Sequence, residues 1–255
     1  MNDLFSVKDK VVLITGASSG LGWHFAELFA RAGAVVVACA RSTQKLEVLR
    51  DTIRLTGGHC HSMEMDVSQA ESIQAALAQV VQTVGVPDVL INNAGQSIAK
   101  PLLDQTEDDW DQIMNTNLKG NWLVATEVAR AMVQAGRGGS IVNIASILGE
   151  RVTGAVAPYA ISKAGVVQAT KAMALELARH HIRVNAVLPG YVATDLNRDF
   201  LKSDLGDKLR KRVPSREFCE MTDLDGPLLL LASSAGAGMT GACLAVDRGH
   251  LVSGL

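Results

Sequence analysis

The chain has 255 residues, 48% of them hydrophobic, with a mean hydropathy of +0.18. A sizeable core is available, which excludes wholesale disorder. The 24 basic and 26 acidic residues leave a net charge of −2, and that balance argues against nucleic acid as a partner, because neutralising phosphates needs a basic excess.

Strand-like and helix-like stretches alternate along the chain. The opening "MNDLFSVKDK" lacks the apolar core of a signal peptide. The first strand is predicted at "KVVLIT" (Lys10–Thr15), a β-branched run stopped by glycine. "TGASSGLG" (Thr15–Gly22) follows directly, and Trp23, Ala26, Leu28 and Phe29 then recur at helical spacing. Glycines at 16, 20 and 22 permit a tight turn and close approach of a pyrophosphate, and the helix N-terminus adds free N–H groups and partial positive charge. The strand–turn–helix setting favours a dinucleotide site over a bare turn. Gly16, Ser18, Ser19, Gly20, Leu21 and Gly22 are its candidate phosphate-end residues.

"AVVVACA" (Ala34–Ala40) is the second predicted strand. An NAD site carries an acid about 20 residues past the glycines, but the residues here are Val37, Ala38, Cys39, Ala40 and Arg41. Arg41 can grip a 2′-phosphate, which favours NADP(H); the plain alternative is a solvated arginine at a helix start. The third strand, "HCHSMEM", ends at Asp66 and Val67. Asp66 either bonds an adenine amino group or caps the next helix. After the fourth strand, "DVLINN", comes "NNAG" (Asn92–Gly95). There Asn93, Ala94 and Gly95 either line a cofactor groove or make an ordinary turn.

Asn117, within "NTNLKG", is a poor interior helix residue. It reads as a cap or, more sharply, as a kink that frees a carbonyl for water. The fifth strand, "GSIVNIAS", ends at Ser146, on the carboxyl edge where open α/β sheets bind ligands. In "PYAISKAG" (Pro158–Gly165) proline suits a helix start, placing Tyr159 and Lys163 one turn apart on one face. A free phenol has a pKa of about 10. A neighbouring ammonium is expected to lower it toward the range useful for acid–base work.

"IRVNAVLP" and "CLAV" complete a set of seven candidate strands. Apolar strands alternating with helices imply a parallel sheet covered on both faces, and right-handed crossovers make it doubly wound. One domain is expected over residues 1–255, with a polar lid insertion at about 191–216. Four scattered cysteines and six histidines show no metal spacing and read as reduced thiols in a cytoplasm-like compartment. No apolar run reaches the roughly 18 residues of a membrane span.

In this order the motifs resemble those of the classical short-chain dehydrogenase/reductase family, from about Lys8 to the C-terminus. "TGASSGLG" is similar to its cofactor turn, "NNAG" to its motif after strand four, and "LPGYVAT" (Leu188–Thr194) to its Pro-Gly motif. Asn117, Ser146, Tyr159 and Lys163 match its catalytic tetrad. The resemblance implies a Rossmann-type, seven-stranded parallel sheet and hydride transfer between a nicotinamide and a carbonyl or secondary alcohol. Tyr159 would move the proton, Ser146 hold the substrate oxygen, Lys163 lower the phenol pKa and bind the ribose, and Asn117 hold a relay water. Pro189, Gly190, Val192 and Thr194 would meet the nicotinamide end, and a homotetramer is implied.

Ser146, Leu148, Tyr159 and Tyr191 are the candidate substrate contacts, with Gln96, Val152 and Val156 nearby. Their apolar character favours a hydrophobic ketone or a 3-oxoacyl thioester. An NAD-dependent alcohol, sugar or steroid dehydrogenase is the alternative, and a non-catalytic dinucleotide sensor a remoter one. Among relatives that reduce carrier-bound 3-oxoacyl groups, arginines dock the carrier. Arg130 fits one such position, but Leu175 stands at the other. "DRGH" (Asp247–His250) replaces the glycine pair usual after the last strand, a departure expected to bear on subunit contact.

Overall fold

A computed structural model describes residues 4–194, 201 and 203–253. Its strands are β1 (Val11–Thr15), β2 (Val35–Ala40), β3 (His59–Glu64), β4 (Val89–Asn92), β5 (Gly139–Ile144), β6 (Ile182–Pro189) and β7 (Cys243–Val246). They form one parallel sheet in the order β3-β2-β1-β4-β5-β6-β7. All seven fall where apolar runs predict them. The order reverses between β1 and β4, and that switch point opens a crevice at the carboxyl ends of the strands.

The side-chain alternation of the strands feeds two cores. Val12 and Ile14 of β1 face one way, toward α1 (Gly20–Arg31), α2 (Thr43–Leu55) and α8 (Asp225–Ala232). Leu13 faces the other, toward α3 (Ala70–Thr83), α5 (Asn121–Gln134) and α6 (Ala157–Leu177). Phe25, Phe29, Leu46 and Leu49 fill the first core, and Ile73, Val80 and Met132 the second, all essentially without exposure. Each such side chain contributes about 1.5–3 kcal/mol. The layers hold the strand ends rigidly, which gives the loops beyond them a fixed frame.

Helix α4 (Glu107–Met114) starts at a capping box between Thr106 and Asp109. It runs without a break into a π-helical turn, Asn115–Gly120, and then into α5. The kink reading of Asn117 therefore describes the backbone, and the cap reading does not: Asn115 sits at the C-terminal end of α4. The wide turn is tightly packed at its end. Any side chain on Gly120 would lie 2.6 Å from the Val67 carbonyl oxygen, so the helix presses directly on the loop after β3.

Among the described residues, the stretch between β6 and β7 holds α7 (Asp204–Arg210), a short 3₁₀ turn at Met221–Leu224, α8, and an isolated bridge between Val192 and Cys219. Residues 195–200 and 202 of the expected lid lie outside the described residues. Among the described residues, no helix is long and apolar enough to cross a membrane, and no group of three or more His, Cys, Asp or Glu is placed to hold a metal.

Candidate active site

The turn after β1 is shaped by its glycines and by a distant loop. Gly16 and Gly20 adopt φ +67° and +54°, values that side-chain-bearing residues reach at a cost. A Cβ on Gly22 would meet the Gly16 carbonyl oxygen at 2.2 Å, so α1 rises tightly from the turn. The Thr15 hydroxyl accepts from Asn93 N and Ala94 N, both at 3.0 Å, and donates to Asn92 Oδ1 at 3.3 Å. Asn93 Nδ2 in turn donates to the carbonyls of Thr15 at 3.0 Å and Gly16 at 3.3 Å. "NNAG" thus holds the phosphate turn in place across the switch point.

A cleft of 520 Å³ runs from this turn along the strand ends. Gly16, Ser19, Gly20 and Leu21 line one end, and Asn93, Gly95 and Gln96 the middle. Ser146, Leu148, Val156, Tyr159 and Lys163 line the far wall, facing Pro189, Gly190, Tyr191, Val192 and Thr194. Other expected residues lie behind or beside it. Gly22 is packed under the turn, and Ala94 has its N–H tied to Thr15. Ser18 is partly buried away from the cleft, and Arg41 is exposed just past β2. The Asp66 carboxylate accepts from Ser68 N at 2.9 Å and Ser68 Oγ at 2.7 Å, closing its own turn before α3. That matches the local-capping alternative in kind, although Gln69 is the N-cap itself. Val67 is buried against Gly120.

Ser146 caps the short turn Ile147–Gly149, accepting from Leu148 N at 3.1 Å. Its hydroxyl also lies close enough to the Tyr159 hydroxyl to act on the phenol's ionisation. Pro158 opens α6, so Tyr159 and Lys163 share a face as the spacing predicts. Lys163 is 5% exposed and donates to the Ile144 carbonyl at 2.8 Å. Its Nζ lies over the Tyr159 ring, 5.7 Å from the centroid. A side chain on Gly95 would stand 3.5 Å from Lys163 Nζ and 3.4 Å from Asn117 Oδ1, so this glycine leaves the space between them open.

The electrostatics correct one expectation. Burial pushes the Tyr159 phenol above its ordinary value; the Ser146 hydroxyl pulls it back in part, and Tyr191 adds to the rise. Burial lowers Lys163 to about 8.

Asn117 is 1% exposed and sits behind the cleft. Its Oδ1 accepts from Gln96 N at 2.8 Å, while Nδ2 donates to Gln96 O at 2.8 Å and to Ser162 Oγ at 3.1 Å. Ser162 Oγ donates on to the Tyr159 carbonyl at 2.7 Å. The π-turn is thereby wired to the start of α6. Sequence reasoning missed Thr15, Ile147 and Thr153 around the site, because a strand-end threonine or a loop isoleucine carries no local signal.

A family model described as enoyl-(acyl carrier protein) reductase matches residues 16–250. Gluconate 5-dehydrogenase of Gluconobacter oxydans (strain 621H) is 35% identical over 252 residues, covering 98% of each chain. The 3-oxoacyl-(acyl-carrier-protein) reductase of Pseudomonas aeruginosa is 34% identical over 248 residues, 97% of this chain and 100% of the other. A solved gluconate 5-dehydrogenase from Burkholderia cenocepacia J2315, in complex with NADP and tartrate, matches with a TM-score of 0.95 at 35% identity over 99% of both chains. Motifs, sheet order and these likenesses agree, and the chain belongs to the classical short-chain dehydrogenase/reductase family, oxidoreductases acting on CH–OH and C=O groups.

Proposed function

We propose that this enzyme uses NADP(H) to interconvert a carbonyl and a secondary alcohol at Ser146 and Tyr159. The carrying observation is the meeting of Ser146, Tyr159 and Lys163 in one cleft that begins at the glycine turn. The fit for a dinucleotide is physical. Nothing stands within 4 Å of where a Gly20 side chain would be, and the turn presents its N–H groups at the start of α1. A bound nicotinamide dinucleotide supplies the hydride chemistry.

The side chains do the rest. Ser146 donates a hydrogen bond that orients the substrate oxygen. Tyr159 delivers the proton to that oxygen in reduction and takes it in oxidation. Lys163 holds positive charge beside the ring and offers its ammonium to the ribose. Both amide hydrogens of Asn117 are committed, so its side chain fixes geometry and the proton relay falls to its main-chain carbonyl. Arg41, exposed past a strand end without an acid, supports NADP(H) over NAD(H), as does the NADP bound to the Burkholderia cenocepacia relative.

Two substrate classes have support. A 3-oxoacyl thioester fits the apolar Ile147, Leu148 and Val156 and the likeness to the Pseudomonas aeruginosa reductase. Arg130, however, is paired with Glu127, and Leu175 is 82% exposed where a second docking arginine is expected. A sugar acid fits the likeness to the gluconate 5-dehydrogenases. A homotetramer through α5 and α6 is supported by the exposed Trp122 and Leu175 on those helices. A reducing, cytoplasmic setting is supported by the four free cysteines. The deciding experiment is nicotinamide absorbance with NADPH and NADH in parallel, against a panel of ketones, keto acids and 3-oxoacyl thioesters. Tight NADPH binding with no consumption across the panel refutes the enzymatic reading and leaves a dinucleotide sensor.

A further inference from the structure

Past Tyr191 a second cavity of 720 Å³ adjoins the cleft, and the two share Ile147, Leu148, Thr153 and Tyr191. Its walls come from four segments: the loop after β5, Tyr191 after β6, the end of α7 with the stretch that follows, and the C-terminal turn. Arg151, Lys211, Arg212 and Arg216 line it, and among the described residues no carboxylate does.

The cations divide by what they already hold. Arg151 is structural, donating to the His250 carbonyl and to Ser253 Oγ at 2.7 Å, and so anchoring the C-terminal turn. Neighbouring arginines that face elsewhere are paired: Arg210 with Asp207, and Arg248 with Glu217 and Asp223. Lys211, Arg212 and Arg216 form no ion pair among the described residues. The nearby Asp247 carboxylate is occupied by the N–H groups of Gly249 and Leu251. Among the described residues the cavity wall is therefore positive and uncompensated, which concentrates anions in a concave site.

A second observation is independent of charge. His250 stacks on Tyr191 with ring centroids 5.6 Å apart, and its buried Nδ1 has no hydrogen-bond partner among the described residues. A buried polar atom left so is costly unless a ligand satisfies it. Arg212 acts electrostatically on both Tyr191 and His250, which places its charge at the junction of the two cavities.

We propose that this cavity binds the carboxylate of a hydroxy- or keto-acid substrate, with Arg212 and Lys211 holding the anion and His250 bonding a substrate hydroxyl. The proposal rests on the reading that the substrate reacts at Ser146 and Tyr159, one cavity away. It gives the last residue of "DRGH" a role: His250 supplies a polar group to the substrate wall. The apolar patches of the wall, Val152 and Val213, flank the carbon chain.

D-gluconate and D-glucitol test this, because they differ only in a carboxylate against a CH₂OH. Each is titrated calorimetrically into the NADP⁺-loaded enzyme, with inorganic phosphate as a third ligand. D-gluconate is expected to bind at least about tenfold tighter than D-glucitol, as one charge-assisted bond allows. The Arg212→Ala/Lys211→Ala variant, checked for an unchanged unfolding temperature, is expected to bring the two within about twofold, and Arg212→Lys to restore part of the margin. His250→Phe, which keeps the stacking, is expected to weaken both ligands. Equal affinities in the natural enzyme, or a margin that survives the double variant, overturns the proposal. Tighter binding of phosphate than of gluconate also overturns it, in favour of a phosphorylated ligand. Turnover is followed separately: a Tyr159→Phe enzyme that still oxidises substrate removes the catalytic reading while leaving the calorimetric comparison intact.

Discussion

Lys163 lies over the face of the Tyr159 ring, 5.7 Å from its centroid, while its ammonium donates to the Ile144 carbonyl at 2.8 Å. The pair is held by packing as much as by charge. Burial lowers the lysine and raises the phenol.

That arrangement sets a stability signature. Lys163 titrates near 8 when folded, against 10.5 when unfolded. Between those values the unfolded chain binds more protons, so stability rises with pH across the window, and the burial penalty is fully present below it. Urea unfolding of natural enzyme and Lys163→Met at pH 7.5 and pH 10.5 should show their difference moving in favour of the natural enzyme by about 3 kcal/mol as pH rises. A flat or opposite difference contradicts the burial account.

Tyr159→Phe removes the hydroxyl and keeps the ring under Lys163. Turnover is expected to fall by about 10²–10⁴-fold or more, with NADPH affinity within about threefold of natural. Stopped-flow absorbance and fluorescence titration separate the two quantities, and full retained activity rules Tyr159 out as the proton donor.

Arg41→Glu reverses charge at the end of β2, where the residue is exposed and free to meet a 2′-phosphate. The ratio of kcat/KM for NADPH over NADH is expected to fall by about 10- to 100-fold, the range of a charge-assisted hydrogen bond. An unchanged ratio returns Arg41 to a solvated helix-start residue.

Gly22→Ala puts a methyl group 2.2 Å from the Gly16 carbonyl oxygen and 2.6 Å from Asn93 Nδ2. Backbone must shift to admit it. A loss of about 1–3 kcal/mol in stability is expected, together with weaker NADPH binding, measurable by thermal unfolding with and without NADPH. Gly57→Ala is the control: nothing lies within 4 Å there, but its φ of +82° alone is strained, so it should cost stability without touching NADPH affinity.

Much of this was legible in the residues, and for different reasons. The strands were readable because both sheet faces are covered, so runs such as "VVVACA" are continuously apolar. Tyr159 and Lys163 were readable because helical spacing fixes which residues share a face. Their electrostatics were not, since the direction of each shift turned on burial. The π-turn at Asn115–Gly120 escaped notice as such, because its close contact with Val67 lies some fifty residues away in the chain. The meeting of the cations with His250 needed the fold for the same reason. Arg151, Arg212 and His250 meet only after β6 and β7 are in register.

The three hydrogen bonds at the Thr15 hydroxyl bear on synthesis of the chain. A nascent polypeptide that has left the ribosome only as far as β3 already owns every glycine of its nucleotide turn. It lacks the Asn93 amide that secures two carbonyls of that turn. Competence to recognise a nucleotide therefore arrives with the emergence of β4 and the loop beyond it, and a fragment cut before Asn92 carries the motif without the grip.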